Sequence, residues 1–252
     1  MYVIDGRTAQ VSIFTFGNCH VQSSGRLINP PFNLLRILVY LLLEGNGKPV
    51  VRRRIGELIW SDNGSEQANA DIRQTVSRVR KFQEDNNFEL MSADEKMAWL
   101  NLDQNIYIDL AEFMDIVAQP TPKGAVRLCE IYRGELLESL RSAGEGFEEW
   151  LAIQRTALRY EFISAVSQAI ELDTDLTPHE RHACATRLLQ IDPYHEGAHR
   201  ALMYDAAAKG QFSFVKQLFN DCSKRLREEL GVGPDDETVR LYRELISRSP
   251  TA

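Results

Sequence analysis

The stretch DPYHEGAHRALM (192–203) contains H-E-x-x-H as His195, Glu196 and His199. Two histidines four apart share one helix face and can hold Zn²⁺ while the glutamate activates a water. The surrounding residues argue against that chemistry. Asp192-Pro193 starts a helix a residue or two before His195, which puts the pair in the first turn, where the macrodipole is positive and a cation is disfavoured. Gly197 weakens the middle of the motif, and Arg200 sets a positive charge beside the second histidine. Glu196 suits N-terminal capping instead. His179 and His182 also lie near a helix start. No G-x-S-x-G, phosphate-binding Gly-rich loop or Cys–His nucleophile pattern is present. The expectation is a protein that is not an enzyme, with no catalytic residues, no metal and no cofactor.

The second group of residues with chemical potential is cationic. The 252-residue chain carries a net charge of −7, which taken globally argues against nucleic acid. Between Arg36 and Lys81, however, nine Lys or Arg stand against five acids, a local +4. A basic island in an acidic chain is a localised electrostatic footprint. The four cysteines, Cys19, Cys129, Cys184 and Cys222, form no C-x-x-C pair and are expected as buried thiols. With 44% apolar and 26% charged residues the chain has the composition of a soluble globular protein of two modest domains. ILVYLLL (37–43) is too short to span a bilayer, and MYVIDGRTAQ (1–10) lacks a signal pattern, so no membrane partner and a cytoplasmic location are expected.

The elements that must position the cations follow from periodicity. VSIFTFG (11–17) and then HVQSSGRLIN (20–29), with short strands around a Ser-Gly turn, look like β structure. FNLLRILVYLLLEG (32–45) is apolar all round and stops at a glycine, as a buried helix does. VRRRIGELIW (51–60) is a short second helix and SDNGS (61–65) a polar turn. A third helix runs from Glu66 to Gln83, with Asn63 as a possible cap. On it Ile72, Thr75, Val76, Val79 and Phe82 fall within an arc of about 120°, while Arg73, Gln74, Ser77, Arg78 and Lys81 fan across the other side. FELMSADEKMAWLNLD (88–103) alternates around a charged tip, as a β-hairpin does. Everything beyond Tyr107 reads as helix: 108–118, 123–140, 146–172, 177–191, 194–210, 211–231 and 235–248. Two recurring Pro-initiated helix starts, and Gly210 in a tight turn with Phe212 and Phe219 beyond it, suggest stacked tetratricopeptide-like hairpins.

Strands, three helices and a hairpin with cations on the third helix make a winged helix-turn-helix, whose recognition helix enters the major groove while flanking cations meet phosphates. The plain alternative is a solvated helix face in a small α+β domain.

VSRVRK (76–81) resembles the recognition-helix signature of OmpR/PhoB-type DNA-binding domains, and ELIW (57–60) the end of their second helix. The order continues through YIDLAEF, RGELLE, FEEWL, IDPYHEGAHRALM and LREELGVGPDDET, and from end to end it resembles the Streptomyces antibiotic regulatory protein (SARP) family. The resemblance implies an α+β winged helix over 1–105 and an all-α, tetratricopeptide-like bacterial transcriptional activator domain over 108–250. It implies a transcriptional activator that binds direct repeats in double-stranded promoter DNA, recruits RNA polymerase holoenzyme and self-associates on DNA. In that setting the helix wheel makes Arg73, Gln74, Ser77 and Arg78 candidates for base edges, and Arg53, Arg54, Arg80, Lys81 and Lys96 candidates for phosphates. Arg52 fits either a phosphate contact or a surface cap, and Trp60 fits the core better than a contact. The SDNGS loop resembles the segment that faces polymerase in the family, and equally an ordinary solvated turn. The chain departs from the family pattern at Ala98-Trp99, where a Gly-Tyr pair is usual, and at Pro30-Pro31-Phe32, where a basic residue is common. No receiver-type segment is recognisable, so control through expression level is expected. Two alternatives stay open: a regulator whose helical module senses a small molecule or peptide, and a helical scaffold whose winged helix makes protein contacts.

Overall fold

The apolar alternation at the start of the chain becomes a four-stranded sheet in the computed structural model, which describes residues 9–102, 105–171 and 175–248. Residues 1–8, Asp103, Leu172 and 249–250, which fall within the N-terminal stretch, hairpin, long helix and second domain expected from the sequence, lie outside the described residues. Strand β1 (Val11–Phe14) pairs antiparallel with β2 (His20–Ser23), which pairs with β3 (Arg26–Ile28). Ser24 and Gly25 close the β2–β3 hairpin with φ of 49° and 75°. Two successive positive φ values make a turn whose twist matches the flanking strands. On its other edge β1 pairs in parallel with β7 (Ile106–Ile108). The helical reading that starts at Ile108 is thus one residue early, because Ile108 closes this strand, whose partner lies far away in sequence.

Asp109, directly after β7, begins α4 (Asp109–Ala118) and is buried. Its carboxylate accepts from the backbone N–H groups of Thr15, Phe16 and Leu110 and from the Thr15 hydroxyl, at 2.6–3.1 Å. Burial pushes this carboxyl up, and the four donors oppose that shift.

Helix α1 (Leu34–Gly45) is buried over most of its surface. It begins two residues later than its apolar run, after Asn33. A two-residue strand β4 (Val50–Val51), α2 (Arg52–Ile59), α3 (Ser65–Asp85) and the hairpin β5 (Met91–Ala93) with β6 (Met97–Leu100) follow. The strands make a second sheet of order β4-β6-β5, so the helix-turn-helix and its wing are hydrogen-bonded together.

The helix expected over 123–140 stops early. Helix α5 is Pro122–Ile131, and the chain from Tyr132 then runs irregularly, through bends and a turn, past the end of β1, where Leu136 forms a single antiparallel bridge with Phe16. Gly17 N donates to Glu135 O, Leu137 N to Thr15 O and Ser139 N to Gly17 O, at 2.8–3.1 Å. Tyr132, Leu136 and Leu137 are all buried, and Leu137 has φ 54°. A left-handed φ cannot continue a right-handed helix, and backbone groups here find partners across the chain at Thr15 and Gly17 instead. Gly134 permits the approach, because a Cβ there would lie 2.8 Å from Gly17 Cα.

Helices α6 (Glu145–Ala169), α7 (Pro178–Ile191), α8 (Glu196–Ala208), α9 (Phe212–Arg225) and α10 (Asp236–Ser247) complete the chain. Thr177 and Glu180 form a reciprocal capping box on α7, and Asp235 caps α10. Gly210, with φ 71°, turns α8 into α9, and Phe219 of α9 stacks on Tyr242 of α10 at 4.0 Å. Helix α8 packs on α7 and α9, and α10 packs on α8 and α9, a tetratricopeptide-like series of hairpins. Contacts divide the described chain into two units. One holds residues up to Asp115 with Ile131–Ala157, and the other holds Ile116–Glu130 with residues from Leu158 onward. Among the described residues no helix is long and apolar enough to cross a membrane.

Candidate nucleic-acid interface

Helix α3 has the two-faced character its wheel requires. Ala68, Ile72, Thr75, Val76 and Val79 are buried and Phe82 is half-buried, while Arg73, Gln74, Ser77, Arg78, Arg80 and Lys81 are exposed. The apolar face is seated on α2 at close range: a Cβ on Gly56 would lie 3.1 Å from the Ala68 carbonyl and 3.2 Å from Ile72 Cγ2. The N-terminal cap expected at Asn63 is not made. Gly64 holds the cap position without a side-chain acceptor, and Asn63 Nδ2 donates to Asp71 Oδ2 at 3.1 Å. Gln67 Nε2 donates to the other Asp71 oxygen at 3.0 Å.

The wing is pinned to the helices by polar contacts. Gln83, buried near the end of α3, accepts from Leu90 N at 3.0 Å. Asp94 holds the hairpin tip by accepting from Lys96 N and Met97 N at 2.8 and 2.7 Å, and these bonds keep its carboxyl below the usual range. The half-buried Arg52 spends its guanidinium on the Asp94 carbonyl, and its N–H donates to Lys96 O at 2.8 Å. Arg52 thus ties α2 to the wing, and burial pulls its pKa down. Trp60, expected in the core, is half-buried at the end of α2.

Of the candidate cations, Arg53, Arg73 and Lys96 line one open cleft of about 900 Å³ between α2, α3 and the wing tip. Arg53 also forms an exposed ion pair with Glu57 at 3.5 Å. Gln74, Ser77, Arg78 and Lys81 continue along the exposed face of α3. Arg54 sits apart, in a hollow with Tyr40, Glu44 and Lys48. Arg80 turns toward the hairpin, where Nη2 lies 3.4 Å from the Ala93 carbonyl. Arg36, one of the nine cations of the basic island, is only 1% exposed and contributes nothing to the outer face. The structure adds Gln67 and Asn69 to the cleft lining. Asn69 lies one turn before Arg73, so the same wheel could have found it.

The H-E-x-x-H residues hold a helix junction. Helix α8 starts at Glu196 rather than near Pro193, and the cap is His195, not Glu196. His195 Nδ1 accepts from Ala198 N at 3.1 Å, which leaves the proton on Nε2, 2.7 Å from Ser167 Oγ. His199 Nε2 lies 3.2 Å from the Pro193 carbonyl. Burial pushes both imidazoles below the ordinary histidine range. Glu196 accepts from Asp235 N at 2.9 and 3.1 Å, and Arg200 bonds Asp235 Oδ2 at 2.9 Å and Thr238 Oγ1 at 3.0 Å, joining α8 to the start of α10. His182 pairs with Asp205 at 2.8 Å, and His179 is exposed. Of the cysteines, Cys184 and Cys222 are buried, whereas Cys19 and Cys129 are half-buried.

Residues 117–246 match the family model of the bacterial transcriptional activator domain. Among solved structures, the chain is similar to Mycobacterium tuberculosis EmbR, determined in complex with a low affinity phosphopeptide. The TM-score is 0.67 at 18% identity, over 96% of this chain and 66% of that one, a likeness of fold that leaves about a third of the other chain unmatched. Comparison with curated proteins gave no match.

Proposed function

The chain belongs to the bacterial transcriptional activator domain family and has the winged-helix-plus-helical-domain build of a SARP-type transcriptional regulator; from that premise we propose that it binds promoter DNA through α3 and its wing and recruits RNA polymerase. One observation carries this reading. Arg73, Gln74, Ser77 and Arg78 project from the face of α3 opposite Ile72, Thr75, Val76 and Val79. Side chains that leave a helix on its solvent face are those that meet base edges when the helix lies in the major groove. Arg53, Lys81 and Lys96 then serve the phosphates on either side. Arg54 and Arg80 are proposed for the same role, although Arg80 is partly occupied by the hairpin.

Family resemblance further supports direct repeats as the operator. Repeats of one orientation favour side-by-side protomers over a two-fold dimer, since operator symmetry mirrors protein symmetry. The test is a binding titration with the duplex upstream of the protein's own operon and a scrambled duplex of equal length. The expected result is tighter binding to the native duplex by about 10³-fold or more at physiological salt. Equal affinity for the two would overturn the reading.

A second reading has its own observation. Within the helical unit, Ile170, Arg200, Ala201, Tyr204, Arg240 and Leu241 line a cleft of about 730 Å³. Its size and mixed lining suit a small molecule or a short peptide that would set DNA affinity. A compound that raises the unfolding temperature, and loses that effect in the Tyr204→Ala variant, would favour it.

A further inference from the structure

The turn between α2 and α3 is built into the start of α6. Gly144 holds the cap position of that helix: its carbonyl accepts from Phe147 N at 3.0 Å and Glu148 N at 3.1 Å, and Glu148 reaches back to Ala143 N at 2.7 Å. A cap residue ordinarily offers a side-chain acceptor to the first free N–H groups, and glycine has none. Here the acceptors come from far upstream. Asp62 Oδ1 accepts from Glu145 N at 3.0 Å and Ser61 Oγ from Gly146 N at 2.9 Å, while the Ile59 carbonyl accepts from Gly144 N at 3.2 Å. The Ser61 hydroxyl donates in turn to Asp62 Oδ1 at 3.1 Å.

The two glycines are what lets the turn come this close. A Cβ on Gly144 would lie 2.6 Å from Ser61 Oγ and 2.9 Å from Ser61 N, and one on Gly146 would lie 3.1 Å from Ser61 Cβ. The start of α6 is itself firmly held in the same unit. Phe147 is fully buried, Trp150 Nε1 donates to Glu44 Oε1 at 2.8 Å, and the ring of Trp150 packs on Tyr40. Just before it, the buried Arg36 guanidinium donates to the Arg141 carbonyl and lies over the Phe32 and Phe147 rings.

Helix α3 begins at Ser65, three residues after Asp62, and has no side-chain cap of its own. Its apolar face rests on α2 at Ala68 and Ile72, while the chain that enters its first turn is bonded to α6. Resting on the reading of α3 as the DNA-reading helix, we propose that Ser61 and Asp62 are positioning residues, which set the start of the recognition helix through α6 and do not themselves touch DNA.

The test uses the full chain and two readouts, amide exchange and duplex affinity as a function of salt. Replacing Ser61 and Asp62 together by Ala should speed exchange over residues 62–72 and 144–149 by about fivefold or more, the scale of a lost helix cap. Affinity for the native duplex should fall at least about threefold at every salt concentration, with the slope of log K against log salt unchanged, because no phosphate contact is lost. Asp62→Asn keeps the acceptor and should behave as wild type in both. Gly144→Val, which pushes the turn away from the other side, should reproduce the double variant. Unchanged exchange over 62–72 would overturn the proposal. So would a salt slope reduced by about one, which marks a lost phosphate contact, or a failure of Asp62→Asn to retain wild-type behaviour. A wild-type chain that binds no duplex would sink the DNA reading, and the exchange arm would still decide the coupling.

Discussion

The Gln83 side chain pairs with the Met91 backbone as a neighbouring strand would: Oε1 accepts from Met91 N at 2.7 Å while Nε2 donates to Met91 O at 3.0 Å. With the bond from Leu90 N, one amide closes the gap between the end of α3 and the first wing strand. Replacing it with Leu keeps the volume and strands three buried polar groups. Gln83→Leu should cost about 2–4 kcal/mol, read as a lower urea midpoint with an unchanged m-value. A midpoint equal to wild type would show that water replaces the amide at no cost.

The face of α3 separates two kinds of contact by position. Arg73→Ala and Arg78→Ala should each relax sequence preference at a cost of about 1–3 kcal/mol. Lys81→Ala should weaken all duplexes alike and lower the salt slope by about one. Salt titrations on native and scrambled duplexes distinguish the two classes, and identical behaviour would refute the assignment.

Asp109 gathers three backbone N–H groups and a hydroxyl at the junction of β1, β7 and α4. Asp109→Ala leaves those N–H groups buried without an acceptor and should destabilise the first unit by on the order of 3 kcal/mol or more. Chemical denaturation followed by the tryptophan signal measures this; Trp60, Trp99 and Trp150 all lie in that unit. A loss below about 1 kcal/mol would show that the loop has relaxed to find other partners.

His195 and His199 give the helical unit a pH dependence whose sign follows from burial. Both folded-state pKa values are depressed, so the unfolded chain takes up protons first as pH falls through about 6.5. Their contribution to stability is complete above that pH and is lost as pH falls toward the folded-state values. Asn at both positions does not titrate, and at 195 it keeps a capping acceptor. The fall in urea midpoint between pH 7.5 and pH 5.5 should be smaller in the double Asn variant than in wild type; equal falls would exclude the two histidines as its source.

The helical period exposed much of this molecule before any contact was known. Ile72, Val76 and Val79 recur at the spacing of one helix face, so the exposure of Arg73, Gln74, Ser77 and Arg78 followed from geometry alone. Local features also weighed against the H-E-x-x-H motif, yet the proline-started helix among them is misplaced: α8 begins at Glu196 with His195 as its cap. The same reasoning overran where one run of residues met a distant partner. Residues 132–140 carry enough Leu and Glu to look helical, yet Glu135, Leu137 and Ser139 bond their backbone across to Thr15 and Gly17. Ile108, read as the first residue of a helix, closes a strand because β1 lies beside it.

Local pattern thus determined most of the helices and which side of α3 is cationic, because periodicity and turn chemistry act over a few residues. Tertiary structure alone decided that Arg36 is internal, that Arg54 and Arg80 stand off the cleft shared by Arg53, Arg73 and Lys96, and that Ser61 and Asp62 cap a helix about 83 residues further along. A side chain's partner across that distance is chosen by packing, and no spacing rule along the chain encodes it.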